Sequence, residues 1–244
     1  MAQRYHIRPR EVAFEAISAY LVQQKLSSGD RLPAEREMCE MWDLNRSTLR
    51  SAIAQLERDG LLEIRPGSGI FVAGPKFNRN LQDLKSLTET AQEQGMTLES
   101  RVLSLGRIEC DKQFSRLFRV VLGTPLWQLT RLRCVDGTPI MIETSCFLVD
   151  RYPDIDRFDL ARESLFDLFV RHYGSKPVEG EEKISITRAT EGEAQLLGIE
   201  PDGPLFRSVS QSRDQDGTLL EYCRAVARAD KLVMTSILER RESE

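Results

Sequence analysis

Arg46 and Arg50, one helical turn apart, and Arg131 and Arg133, two residues apart, are the side chains of this chain best suited to binding chemistry. A guanidinium offers a planar fork of N–H donors that can grip a phosphate or carboxylate through two parallel bonds. Ser47, Ser51 and Arg58 stand near the first pair, adding donors that suit phosphate oxygens and base edges. Near the second pair in sequence, Glu143 and Ser145 repeat the two-residue spacing. Two arginines, a carboxylate and a hydroxyl suit a pocket that holds an anion bidentately while Glu143 takes a ligand hydroxyl or amine. The same four residues also suit a plain cross-strand ion-pair ladder on a solvated sheet face. Bond-breaking chemistry has little support. There is no Ser–His–acid order and no metal-ligand cluster, and the two histidines are His6 and His172. His172 closes a helix as His-Tyr-Gly, where a helix-dipole interaction is the ordinary role. Gly67-Ser68-Gly69 is too short for a phosphate-cradling loop and lacks the Lys-Ser/Thr continuation. No cofactor or metal is expected.

The first pair needs a helix. Asn45 is placed to cap it, and Leu49, Ala52, Ile53 and Leu56 form one apolar stripe at helical spacing. Arg46, Ser47, Arg50, Ser51 and Arg58 fall outside that stripe. Upstream, Pro33 suits the first turn of a shorter helix whose buried side is Met38, Met41 and Trp42. Earlier still, Val12, Ile17, Leu21 and Val22 recur as in a first helix ending near Ser27-Ser28-Gly29. Downstream, Leu61, Leu62 and Ile64 lead through Arg65-Pro66-Gly67-Ser68-Gly69 to Ile70, Phe71 and Val72, a strand, a Gly-rich turn and a strand. Short helix, tight turn, longer helix and hairpin is the order of a winged helix-turn-helix.

GDRLPAERE, NRSTLRSAIAQLERDGLL and GSGIFV resemble, in type and spacing, the N-terminal domain of the GntR family of bacterial transcription regulators. The resemblance spans residues 1–74. It implies that Arg36, Arg46, Ser47, Thr48, Arg50 and Gly67 touch double-stranded DNA, with Arg65 on the wing beside them. Charge alone would not say so. Residues 1–74 hold ten Lys plus Arg against ten Asp plus Glu, so any electropositive surface is local. One such domain would bind with moderate affinity, which favours a homodimer on a palindromic operator.

At 244 residues the chain is long enough for two ordinary domains. No apolar run approaches a membrane span, and no signal-peptide segment opens the chain. Cys39, Cys110, Cys134, Cys146 and Cys223 are scattered and odd in number, which favours a reducing cytoplasm over a disulfide framework. Residues 75–85 read as a polar linker.

The second pair needs a sheet. Leu98 to Glu109 alternates like a strand, and Lys112 to Val121 reads as a helix with Phe114, Leu117, Phe118 and Val121 on one face. LWQLTRLRCV and PIMIETSCFLV are two strands split by Asp136-Gly137-Thr138. A three-residue loop there sets Arg131 opposite Glu143, with Leu132, Cys134, Ile140 and Ile142 on the other face as core. Ser164 to His172 reads as helix, Glu181 to Arg188 as strand and Glu191 to Leu197 as helix. Pro204 to Arg213 and Leu219 to Ala227 form a further hairpin. The fold class is α+β, a winged helix-turn-helix followed by an antiparallel-sheet domain.

TRLRCVDGTPIMIETS, ESLFDLF, ATEGEAQLLGI and LLEYCRAVARAD, in that order, are similar to the UTRA effector-binding domain of the HutC branch of the same family. DLKSLTET stands where that domain opens, so the domain is taken as residues 86–244. The resemblance implies a chorismate lyase-like fold that also dimerises. It further implies a site in which Ser86 and Thr88 contribute from the opening segment. Arg131, Arg133 and Ser164 would hold an anion there, while Glu143 and Glu221 orient the polar part of the ligand. Where some sugar-phosphate-binding relatives carry tyrosines, this chain has Phe166 and Ala227. The function implied is a repressor released from its operator by a small anionic effector, foremost a phosphorylated sugar or sugar-acid derivative. The competing reading is an enzyme of chorismate lyase-like fold acting on an anionic small molecule.

Overall fold

The computed structural model describes residues 9–65 and 67–236, so His6 and Pro66 lie outside the described residues. The chain forms two compact units, one ending at Lys76 and the other beginning at Phe77.

The first unit contains α1 (Pro9–Gln23), α2 (Glu35–Trp42) and α3 (Arg46–Arg58), then an antiparallel hairpin of β1 (Leu62–Arg65) and β2 (Gly69–Val72). Leu49, Ala52, Ile53 and Leu56 of α3 pack with Ala13, Ile17, Leu32, Met38, Leu62 and Ile70 in one buried cluster, so the apolar stripe faces inward as expected. Asn45 caps α3: its Oδ1 accepts the backbone N–H of Thr48 at 2.8 Å. Other details differ. Pro33 precedes the cap residue Ala34 and does not enter α2; Glu37 accepts the Ala34 N–H at 3.0 Å instead. Met41 is half exposed, because a helix of eight residues turns only its Met38 side fully inward. Helix α1 stops at Gln23, and Val12 and Val22 point to solvent because the buried line runs through Ala13 and Ile17.

The second unit is built on a six-stranded sheet. Its strands are β4 (Leu98–Glu109), β5 (Pro125–Val135), β6 (Thr138–Leu148), β7 (Glu179–Arg188), β8 (Pro204–Arg213) and β9 (Leu219–Arg228). Their order is β4-β5-β6-β9-β8-β7, and every neighbouring pair is antiparallel. Helices α4 (Leu87–Glu93), α5 (Lys112–Phe118), α6 (Leu165–Tyr173) and α7 (Glu191–Leu197) accompany it. Helix α5 ends sooner than Val121, since Arg119 adopts the left-handed conformation with φ 56° and Val121 is exposed. The stretch read as a polar linker contains β3 (Phe77–Asn80), which pairs in parallel with β10 (Leu232–Thr235). Phe77 is buried there with Leu232, Ala225 and Met141. Local pattern hides this strand because its partner lies at the far end of the unit.

The β5–β6 hairpin reaches the expected register by another route. Its loop has two residues, Asp136 (φ 48°) and Gly137 (φ 76°), both left-handed as a type I′ turn requires. Val135 therefore pairs with Thr138, and the register shifts beyond Cys134↔Pro139 so that Arg133 pairs with Met141 and Arg131 with Glu143. A bulge at Ile140 absorbs the extra residue. Ile140 consequently joins the cluster of Met141, Phe77 and Ala225, whereas Leu132 and Cys134 pack with Ala194, Leu197 and Leu205.

Candidate nucleic-acid interface and anion pocket

Side chains two apart on a strand share a face, so Trp127 and Leu129 of β5 and Phe147 of β6 lie on the face that carries Arg131, Arg133, Glu143 and Ser145. These apolar residues are buried against Leu165, Leu168 and Phe169 of α6. The indole Nε1–H of Trp127 donates to the Tyr152 carbonyl at 2.9 Å, fixing the loop that leads to α6. The helix thereby lies along the arginine face and brings its cap residue, Ser164, to that face. Strand β9 pairs with β6, setting Cys223 opposite Ser145, and Ser212 of β8 stands opposite Glu221.

The result is a cavity of about 490 Å³ whose walls include Ser86, Arg131, Arg133, Glu143, Ser164 and Glu221. Six of the seven residues expected at this site therefore converge. Thr88 does not line the cavity: it follows Leu87 into the first turn of α4, whose cap is Ser86. Ser86 Oγ accepts the Glu89 N–H at 3.1 Å, so this residue also has an ordinary capping role. Sequence reasoning missed Arg79 and Cys223 as wall residues; Phe166, named for the tyrosine it replaces, also stands at the wall. Arg79 pairs with Glu182 at 2.6 Å. Its only sequence signal was its two-residue spacing from Phe77.

The electrostatics separate the two arginines. Arg131 Nη2 donates to Glu143 Oε1 at 2.6 Å, and its Nη1 donates to the Leu160 carbonyl at 3.4 Å. Arg133 is 3% exposed, and the nearest carboxylate oxygen is Glu143 Oε1, at 3.5 Å from its Nη1. The Nε atoms of both arginines are buried without a hydrogen-bond partner among the described residues. A buried cation with unmade hydrogen bonds is costly, so the arrangement is one anion short of satisfaction. Burial pushes the Glu143 carboxyl up, but Arg133 and Arg131 together outweigh it and hold the group below its ordinary value. Burial pulls Arg133 below its ordinary value, partly offset by Glu143. Among the described residues Glu221 has no ion pair of its own, and burial pushes it up to about 7. The Ser145 hydroxyl makes no hydrogen bond of good geometry, although it lies close enough to Glu221 to favour the ionised form. Arg131, Arg133, Glu143 and Ser145 are all buried on this face, which sets aside the solvated-ladder reading.

In the first unit, Arg46, Ser47 and Arg50 are exposed on α3, and Thr48 is partly buried. Ser47 Oγ donates to Asn45 Oδ1 at 2.7 Å. Arg50 Nε meets Glu35 at 2.8 Å, Arg36 Nε meets Glu40 at 3.7 Å, and Arg65 Nη2 meets Glu63 at 3.2 Å. Arg65 also lies over the Phe71 ring, 4.4 Å from its centroid. Such exposed pairs contribute about 0–1 kcal/mol each and exchange readily for phosphate contacts. Gly67 sits in the wing turn with φ 74°, a conformation that suits glycine.

The fold and the two surfaces define a winged-helix regulator joined to a small-molecule-binding domain. The chain belongs to the gntR family of bacterial regulatory proteins, whose model matches residues 9–72, and it carries a UTRA domain over residues 93–232. Among its relatives is the HTH-type transcriptional repressor PhnF of Mycolicibacterium smegmatis (strain ATCC 700084 / mc(2)155). PhnF is 31% identical over 216 residues, covering 88% of this chain and 87% of the relative. The crystal structure of PhnF from Mycobacterium smegmatis superposes with a TM-score of 0.68 at 28% identity, covering 93% of this chain and 99% of that one. The HTH-type transcriptional repressor NagR of Bacillus subtilis (strain 168) is 29% identical over 210 residues, 86% of each chain. The mannosyl-D-glycerate transport/metabolism system repressor MngR of Escherichia coli (strain K12) is 25% identical over 235 residues, covering 96% of this chain and 97% of that one. The family and these relatives make this chain a transcription regulator of the HutC/UTRA type and not an enzyme. Among the described residues, no helix is long and apolar enough to cross a membrane.

Proposed function

We propose that this regulator represses transcription as a homodimer on a palindromic operator and releases it when a small anionic metabolite enters the second unit. A phosphorylated sugar or a sugar acid is the class that fits best. The observation that carries this reading is Arg133: a buried guanidinium, in a cavity of small-molecule size, that makes no hydrogen bond of its own among the described residues. Arg131 and Ser164 line the same cavity, and Glu143 and Glu221 offer acceptors for ligand hydroxyls or amines, while Ser86 adds a further polar group at the wall. MngR, named for the transport and metabolism of the sugar acid mannosyl-D-glycerate, lends support from a relative. The DNA side rests on Arg36, Arg46, Ser47, Thr48, Arg50, Arg65 and Gly67.

Binding to DNA is tested by gel retardation of the chain's own upstream DNA with an Arg46→Ala, Arg50→Ala double variant. Its affinity is expected to fall at least ~30-fold, since each good bidentate base contact contributes about 1–3 kcal/mol. Wild-type retardation would overturn the DNA reading. The pocket is tested by a thermal-shift screen of sugar phosphates and sugar acids. A compound that stabilises the wild type should give no shift with Arg133→Ala, and an unchanged shift in that variant would move the ligand elsewhere.

A further inference from the structure

Arg31 lies between α1 and α2, where its backbone forms an isolated antiparallel bridge with Phe71 of the wing. Leu32 N–H donates to the Ile70 carbonyl and Val72 N–H to the Asp30 carbonyl, both at 2.8 Å, so the segment acts as a third strand beside β2. Residues paired across antiparallel strands face the same way. The β1–β2 register pairs Glu63 with Phe71 and Arg65 with Gly69, so Arg31, Phe71, Gly69, Arg65 and Glu63 share one face of the wing.

On that face the two guanidiniums differ. Arg65 is stacked over Phe71 and paired with Glu63. Arg31 is exposed and has no ion pair among the described residues. Its guanidinium lies across Gly69: a Cβ built on that glycine would stand 2.9 Å from Arg31 Nε and 3.2 Å from Nη2. Gly69, with φ 123°, thus serves the backbone of the wing and also leaves the space that the arginine fills. A cation lying across Gly69 with no ion pair among the described residues, on the face that displays Arg65, is placed to meet an anion from outside.

We propose that Arg31 is a further DNA-contacting residue, its guanidinium held across Gly69 to meet a backbone phosphate beside the groove that the wing approaches. The inference rests on the DNA-binding reading and adds to it a contact that does not depend on base sequence. Phosphate contacts of this kind make binding salt-dependent, each one steepening the log–log fall of affinity with salt by nearly one.

The test uses the full chain and a duplex selected from a random pool by the wild-type protein, with binding followed from low to moderate salt. Arg31→Gln keeps most of the stem over Gly69 and removes the charge. It should lower the slope by about one and weaken the selected duplex and a random duplex by the same factor. Arg31→Lys should restore most of the slope. A wild-type slope in Arg31→Gln would overturn the proposal. So would a loss confined to the selected duplex, which indicates base reading, or a loss matched by a lowered unfolding midpoint of the first unit, which indicates a structural role. Failure of the wild type to select any duplex would overturn the DNA-binding reading itself. A normal Arg31→Gln beside a defective Arg46→Ala would remove this inference alone.

Discussion

Among the described residues, Glu221 is a buried carboxyl that its surroundings push toward neutral pH. Burial pushes it from 4.5 to about 7. Glu143 adds to the rise; Ser145, Arg131 and Arg133 oppose it, and the Cys223 thiol shares the face. The sign follows from linkage. Between those two values the folded chain holds a proton that the unfolded chain has released, so stability falls as pH rises and levels off above about 7. Across that whole interval the loss amounts to about 3 kcal/mol. In urea unfolding from pH 5 to 8, Glu221→Gln should lack this component and gain on the wild type as pH rises. Parallel curves for the two proteins would show that the carboxyl is not held protonated. The same charge acts on ligand: ionised Glu221 repels an anion, so effector affinity should weaken above pH 7 in the wild type and less so in Glu221→Gln.

Among the elements, the capped helix α3 and the strand β3 carry separate predictions. Asn45 accepts the Thr48 N–H and the Ser47 hydroxyl, so Asn45→Ala should cost the first unit about 1 kcal/mol, read as a lower denaturation midpoint. An unchanged midpoint would mean that solvent caps the helix equally well. Phe77 is 1% exposed in the core of the second unit, although it lies only a few residues past the wing. Phe77→Ala should destabilise the second unit by about 3–5 kcal/mol and leave the transition of the first unit in place. A shift of the first transition would assign β3 to the wrong unit. In the β5–β6 hairpin, the positions of Arg131 and Glu143 depend on two local devices acting together. A tight turn shortens the loop by one residue, and a bulge restores the register by one.

At the scale of the whole molecule, release by a ligand requires that the effector bind differently to the DNA-competent and DNA-incompetent states. Couplings of this kind are typically about 1–3 kcal/mol, or several-fold to a hundred-fold in affinity, and they are reciprocal. Once a stabilising sugar phosphate or sugar acid is found, saturating operator duplex should weaken its binding by the factor by which it weakens the duplex, measured by calorimetry in each order. A ligand affinity indifferent to DNA would separate the pocket from regulation. The zero net charge of residues 1–74 bears on the same scale: in the function proposed above, binding would depend on a few positioned arginines, not on bulk attraction, and so on bringing two copies to one site.

Much of this protein was legible in its residues because the signals are local. A helix turn fixes which residues of Asn45 to Gly60 face inward, and a strand fixes that Arg131 and Arg133 look the same way. The family pattern then named Ser86, Ser164 and Glu221, residues that no spacing connects. Tertiary structure decided the rest. It buried the arginine face under α6, left Arg133 without a hydrogen bond among the described residues, brought Arg79 to the cavity through the β3–β10 pair, and laid Arg31 across Gly69. Each of these depends on partners far apart in the chain or on the space left by a missing side chain. Burial and hydrogen-bond satisfaction are properties of the packed whole, and residue type alone does not carry them.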